Sequence, residues 1–215
     1  MTEQFTREVD LFGSKMKQNV IENEFNREYA PLETIQPGMA IEFTVQSAND
    51  LYLDLNNSPL HVIAKITKAD GTNIDANIAA PINLTLHTMF REIGLEFNGP
   101  NVGDTSQLYP SRSVLERLLN ICKEVQETRL LSEGWTIDTS GHMNVTEVGG
   151  NYAGMNARAA TFARGTLVEL IGRPHLDVFH QERLIPPNID LYIKLIPSPN
   201  DFLFKSAAPA ANAQQ

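Results

Sequence analysis

Residues 39–46 read MAIEFTVQ, and their alternation sets the fold class. Met39, Ile41, Phe43 and Val45 fall on one side, while Glu42, Thr44 and Gln46 fall on the other. Successive side chains of a strand point to opposite faces, so a period of two marks a strand with one face buried. Strand-like runs follow at LYLDL (51–55) and HVIAKIT (61–67), parted by NNSP, with ADGT as the closing turn. INLTLHTMF (82–90) fits a strand or a helix. IGLEFNG (93–99) ends on Asn98-Gly99, a strong hairpin dipeptide. Later, TLVELIG (166–172), HLDVFHQ (175–181), IDLYIKLI (189–196) and DFLF (201–204) read as strands, punctuated by PP and PSPN.

One segment has a different period. In SRSVLERLLNICKEVQETRLL (111–131), Val114, Leu115, Leu118, Leu119, Cys122 and Val125 recur every three or four residues on one helical face. Ser113 and Glu116 have the spacing of a capping box at its start. Cys122 is expected inside the apolar stripe. Many short strands, frequent turns and a single substantial helix near 111–130 predict an all-β, jelly-roll β-sandwich with one inserted α-helix. The expected organisation is a polar N-terminal arm over 1–36, a jelly-roll domain over 37–204 and a disordered Ala-rich tail over 205–215. A short helix is expected within the arm near 15–28, and residues 139–166, rich in Gly, Asn, Ala and Thr, read as a long loop region.

Bulk properties exclude several classes. The 215 residues carry 17 Lys and Arg against 26 Asp and Glu, a formal charge of −9. Such a surface repels phosphate backbones, so no direct nucleic-acid partner is expected. The single cysteine rules out an intramolecular disulfide framework and a thiolate zinc cluster. No apolar run approaches the ~20 residues of a membrane span, and the first residues do not form a signal peptide. A soluble protein made inside a cell is expected.

HLDVFHQ is where chemistry would be sought. On a strand, His175, Asp177 and Phe179 share one face, and Leu176, Val178 and His180 share the other, so the two histidines point apart and cannot chelate one ion. A cupin-like metal site would need His175, Asp177 in place of a second histidine, Glu182, and His87 or His61, a set without the spacing logic of a ligand motif. There is no G-x-S-x-G, G-x-x-x-x-G-K-[ST] or G-x-G-x-x-G pattern. Arg158, Arg164 and Arg173 read as solvated loop arginines. A carbohydrate-binding module would show clustered exposed aromatics, and Trp135 is the lone tryptophan. No catalytic, cofactor-binding or metal-ligating residue is therefore expected, and no cofactor.

The order of several motifs resembles the Polinton/Maverick (adintovirus-type) major capsid protein family. VDLF (9–12), YAPL (29–32), IEF (41–43) and YLDL (52–55) resemble its opening. INLTLHTMFREIGLEFNG and LYPSRSVLERLLN continue it, with Ser111 where the family commonly has the second aromatic of a Tyr-Pro-Tyr motif. VELIGRPHLDVFHQERLIPPNIDLYIKLIPSPNDFLF is similar to its Gly-x-x-His-x-Asp-x-Phe segment and closing strands. The likeness runs over about residues 9–204. It implies a viral-type jelly roll that builds a capsid shell and turns over no substrate, with HLDVFHQ as a structural segment. The implied partners are further copies of itself and other capsid proteins, and the implied location is the virion. Family members carry two jelly rolls in tandem and assemble as trimeric capsomers. This chain corresponds to the N-terminal one, so it is read as a portion of such a protein, a truncated copy or a single-jelly-roll relative.

Overall fold

The computed structural model describes residues 21–76, 78–104, 107–142, 145, 148 and 150–206. Phe5, Leu11, Phe12 and Val20 of the arm lie outside them, as does the tail from residue 207.

Antiparallel strands and few helices make the fold mainly β. The largest sheet has the order β1 (Ile41–Val45), β7 (Leu191–Pro197), β4 (Phe90–Phe97), β5 (Asn101–Asp104). Its register produces three apolar rungs: Ile41–Leu195–Ile93, Phe43–Ile193–Leu95 and Val45–Leu191–Phe97. The opposite face carries Glu42, Lys194, Tyr192 and Glu96, with Lys194 Nζ 3.4 Å from Glu42 Oε1. This is the alternation of MAIEFTVQ and IDLYIKLI realised in three dimensions. A one-residue slip would turn every rung to the polar face, so the pattern fixes the register. The rungs join Leu55, Phe90, Tyr109, Leu176 and Phe179 in the main core. Burying a Leu or Ile side chain stabilises by about 1.5–3 kcal/mol.

β4 turns into β5 through Asn98 and Gly99, both at positive φ (50° and 103°). That is the hairpin turn the dipeptide predicts, because a residue with no Cβ takes the left-handed region without strain. Two further pairs complete the strands: β2 (Leu60–Ala64) with β6 (Val168–Gly172), and β3 (Ala79–Pro81) with β8 (Phe204–Ser206).

Several expectations need correction. Residues 21–28 form no helix, and LYLDL contributes only the isolated bridge Leu53–Ile185. INLTLHTMF resolves into a single turn, α1 (Thr85–Thr88), running straight into β4. The helix over 111–130 starts earlier and breaks midway. α2 spans Tyr109–Asn120, Ile121 is extended (φ −118°, ψ 126°), and α3 (Lys123–Gln126) and a 3₁₀ turn over Arg129–Glu133 follow. Pro110 opens α2, where a missing N–H costs nothing. Ser113 therefore sits inside the helix, its hydroxyl donating to Pro110 O at 2.8 Å, and caps nothing. Cys122 lies beyond the break and is exposed. The loop region hides α4 (Ala153–Thr161), which packs Met155 and Ala159 against Ala80. DFLF is one helical turn, α5 (Asn200–Leu203), leading into β8. HLDVFHQ is not a strand: residues Asp177–His180 form a 3₁₀ turn. Among the described residues, no helix is long and apolar enough to cross a membrane.

Candidate functional site

α2 is amphipathic the wrong way round for a helix on a β core. Tyr109 and Ser113 are fully buried, and Arg112, Glu116 and Arg117 on the same side reach polar partners beneath the helix. Leu115, Leu118 and Leu119 face outward, 57%, 49% and 81% exposed. Of the apolar stripe read from the sequence, the three leucines face solvent, Val114 packs against the Leu84 cluster, and Cys122 and Val125 lie beyond the break, while the polar stripe at the same spacing points in.

That polar stripe meets two buried histidines. His87, on α1, is held in place by a strained turn: Leu84 is in the left-handed region (φ 59°, ψ 50°) although it is not glycine. Such backbone persists only where the surroundings over-determine it. Here Leu84 is wholly buried against Leu130 and Trp135, and Asn83 Oδ1 accepts from its N–H at 3.0 Å. His175 enters after Pro174, at the foot of the 3₁₀ turn, and its backbone N–H donates to Tyr109 Oη at 3.2 Å. The two imidazoles meet edge to face, ring centroids 4.6 Å apart. Glu133 arrives from the turn that ends at Gly134. Its stem passes directly over β6, where a Cβ on Gly172 would sit 2.7 Å from Glu133 Cγ. Glycine at that strand position marks a close approach.

The hydrogen bonds form one network. Arg117 grips Glu133 with both prongs, Nε to Oε2 at 2.9 Å and Nη2 to Oε1 at 2.5 Å. His87 Nδ1 lies 2.8 Å from Tyr109 Oη, and His87 Nε2 lies 3.3 Å from Glu133 Oε2 without hydrogen-bond alignment. His175 Nδ1 is 2.6 Å from Glu116 Oε2, and Arg112 Nε donates to Glu116 Oε1 at 2.7 Å. Arg112 also pairs with Asp177. His180 Nε2 is 3.9 Å from Glu116 Oε2.

Burial sets the ionisation. Desolvation, reinforced by the neighbouring His87, pushes the His175 imidazole down to about 3. His87, entirely enclosed, is lowered by desolvation as well. Burial alone would raise the Glu133 carboxyl, but the His87 edge and the Arg117 guanidinium outweigh it and hold it below the usual carboxylate range. Tyr109 is driven upward by burial and stays a phenol. The site at neutral pH is thus two uncharged imidazoles against ionised carboxylates.

No family model matches the chain, and no curated protein does either.

The candidate residues of the sequence reading separate cleanly. His175 and His87 come together, and His180 lies near them, because the 3₁₀ turn replaces the strand that would have pointed the two histidines of HLDVFHQ apart; their rings are 5.6 Å apart. Asp177 is exposed and paired with Arg112, Glu182 is exposed, and His61 pairs with Glu169 on the β2–β6 ladder at 2.8 Å. The cupin-like set is not assembled. Of the three arginines, Arg164 is exposed. Arg158 is buried, bound to Asp138, Thr136 and the Pro81 carbonyl, and Arg173 reaches Asn56. Trp135 is buried in the Leu84 cluster, where no sugar could stack on it. Glu116, Glu133, Arg117 and Tyr109 were missed. The signal that could have found them is the Tyr109-Pro110 helix start, which sets Tyr109, Arg112, Ser113, Glu116 and Arg117 on one face at helical spacing.

A cavity lined by Ile66, Pro81, Met89, Phe162, Leu203 and Phe204 encloses about 30 Å³, room for about one water.

Proposed function

We propose that this chain is a shell-building subunit, a jelly roll that assembles with copies of itself and with other capsid proteins, with no substrate turned over. The observation that carries the reading is the outward leucine face of α2. Single exposed apolar residues are ordinary, but Leu115, Leu118 and Leu119 lie together on one side of a single helix. Their side chains gain about 25 cal/mol per Å² once a neighbour covers them.

The strand pairing supports the jelly-roll part. β1 with β7, β2 with β6 and β4 with β5 are nested antiparallel pairs, as in one long hairpin rolled upon itself. β4 with β7 and β3 with β8 depart from the nesting, each crossing the β2–β6 pair. The motif order shared with Polinton/Maverick major capsid proteins points the same way, toward a trimeric capsomer in a virion. Repeated contacts between one surface patch and a different one generate closed rings.

The test is Leu115→Glu with Leu119→Glu, followed by size-exclusion chromatography with light scattering. The expected result is loss of the oligomer with the thermal midpoint unchanged, because exposed positions contribute little to folding. Oligomers that persist in the double variant would remove the α2 face from assembly.

A further inference from the structure

Each buried imidazole has one nitrogen without an aligned hydrogen-bond partner, and that of His87 stands 3.3 Å from Glu133 Oε2. His87 Nε2 and His175 Nε2 lie in the interior, on side chains 0% and 1% exposed, without a hydrogen-bond partner. For His175 the tautomer follows from chemistry. An ionised carboxylate only accepts, so Glu116 requires a proton on Nδ1, and the orphan Nε2 presents a bare lone pair. His87 Nδ1 faces a phenol, which can accept as well as donate, so its Nε2 can present a lone pair too. A buried acceptor without a donor is costly and calls for an explanation such as an ion or a water.

We propose that His87, Glu133 and His175 hold one divalent transition-metal ion, zinc by the character of the donors, as a structural tie between α1, the turn before Gly134 and the segment after β6. One ligand atom from each of the three lies within 4.8 Å of the others. Ligands bound at about 2.0–2.1 Å in a tetrahedron stand about 3.4 Å apart. His87 Nε2 and Glu133 Oε2 already stand at 3.3 Å, and a ring nitrogen of His175 lies within 4.8 Å of the other two ligand atoms. Two imidazoles and a carboxylate suit zinc and exclude calcium and magnesium, which take six or more oxygens or keep several waters. A water can supply the fourth position.

The surroundings have the form of an outer coordination shell. Metal-bound histidines hand their other ring nitrogen to a carboxylate or similar acceptor, which fixes tautomer and orientation. His175 does this with Glu116 and His87 with Tyr109. Arg117 occupies both Glu133 oxygens, but each carboxylate oxygen has a second lone pair free for an ion. The hydrogen-bonded set contains Glu116, Glu133 and Asp177 against Arg112 and Arg117, one negative charge in excess before a cation enters.

A second triad, Glu116, His175 and His180, shares His175 but lies nearer the surface, and its Glu116 oxygen already takes the His175 N–H. The experiment separates the two. The full chain, stripped with chelator, is titrated with cobalt(II) and read by the visible absorption of four-coordinate cobalt; X-ray absorption of the zinc-loaded wild type counts ligands without any variant. Expected are one ion per chain, two imidazoles and one oxygen ligand from protein, a thermal midpoint that rises with free zinc, and loss of the cobalt signal in His87→Asn and Glu133→Gln but not in His180→Asn or His61→Asn. Three results overturn the proposal: no stoichiometric binding, which assigns the orphan nitrogens to buried water; a ligand count without two imidazoles; or binding lost in His180→Asn and kept in His87→Asn.

Discussion

Arg117→Met is the substitution whose cost can be worked from the structure. Methionine keeps the apolar stem of the arginine and removes the guanidinium that grips Glu133, leaving a carboxyl that is 5% exposed. Stranding a buried charge in this way ordinarily costs about 3–5 kcal/mol. The carboxyl has an escape, which is to take a proton. With an ordinary value of 4.5, holding it protonated at pH 7 costs about 3.4 kcal/mol at 1.36 kcal/mol per pH unit. That sets the scale of the loss at pH 7, apart from the two hydrogen bonds. The sign is then fixed. In the variant the folded-state value lies above 4.5, so the folded chain holds a proton the unfolded chain releases, and stability falls as pH rises. In the wild type Glu133 stays ionised, so the difference between the two proteins shrinks by up to about 2.7 kcal/mol between pH 7 and pH 5, the full amount being reached where the stranded carboxyl stays protonated through pH 7. Urea unfolding of both chelator-treated proteins at the two pH values measures it; at pH 7 the thermal midpoint should drop by about 7–14 °C for a chain of this size. A loss that is equal at both pH values, or under about 1 kcal/mol at pH 7, would refute the buried ion pair.

Gly172→Ala should destabilise by about 1–3 kcal/mol in urea unfolding, because the new methyl meets the Glu133 stem and Leu86 Cδ2, at 2.7 and 2.8 Å. The chelator-treated protein should gain stability as pH rises from about 3 to 6.5, the window between the folded and ordinary values of His175, because the unfolded chain binds the extra proton there; His175→Asn should flatten the slope measured by chemical unfolding. Cys122 should react with a thiol reagent in the native protein at close to its rate in denaturant, since it stands exposed beyond the end of α2.

Three of the four strands of the main sheet, β1, β4 and β7, were legible because their information is local, whereas β5 was not read as a strand. Ile41, Phe43 and Val45 alternate with polar residues, Leu191, Ile193 and Leu195 do the same, and Asn98-Gly99 names its own turn. The polar site was not legible, because each residue is placed by something distant in sequence. HLDVFHQ has the composition of a strand, but its His175 N–H is claimed by Tyr109, 66 residues earlier, and the chain coils after it. His87 faces inward because Leu84 adopts a left-handed turn that only its burial beside Leu130 and Trp135 explains. α2 shows the limit of periodicity most plainly. Its spacing gave a helix and the outward Leu115, Leu118 and Leu119 but not the break at Ile121, and spacing carries no information on which stripe the fold buries; here buried partners claim the polar one.

Sedimentation velocity of the full chain over a concentration series tests the shell-building proposal most directly. Self-assembly through the α2 face predicts species at multiples of 23.9 kDa, with a trimer near three times that mass, growing with concentration and persisting at high salt because apolar contacts are not screened. A single 23.9 kDa species at every concentration up to the millimolar range would contradict it.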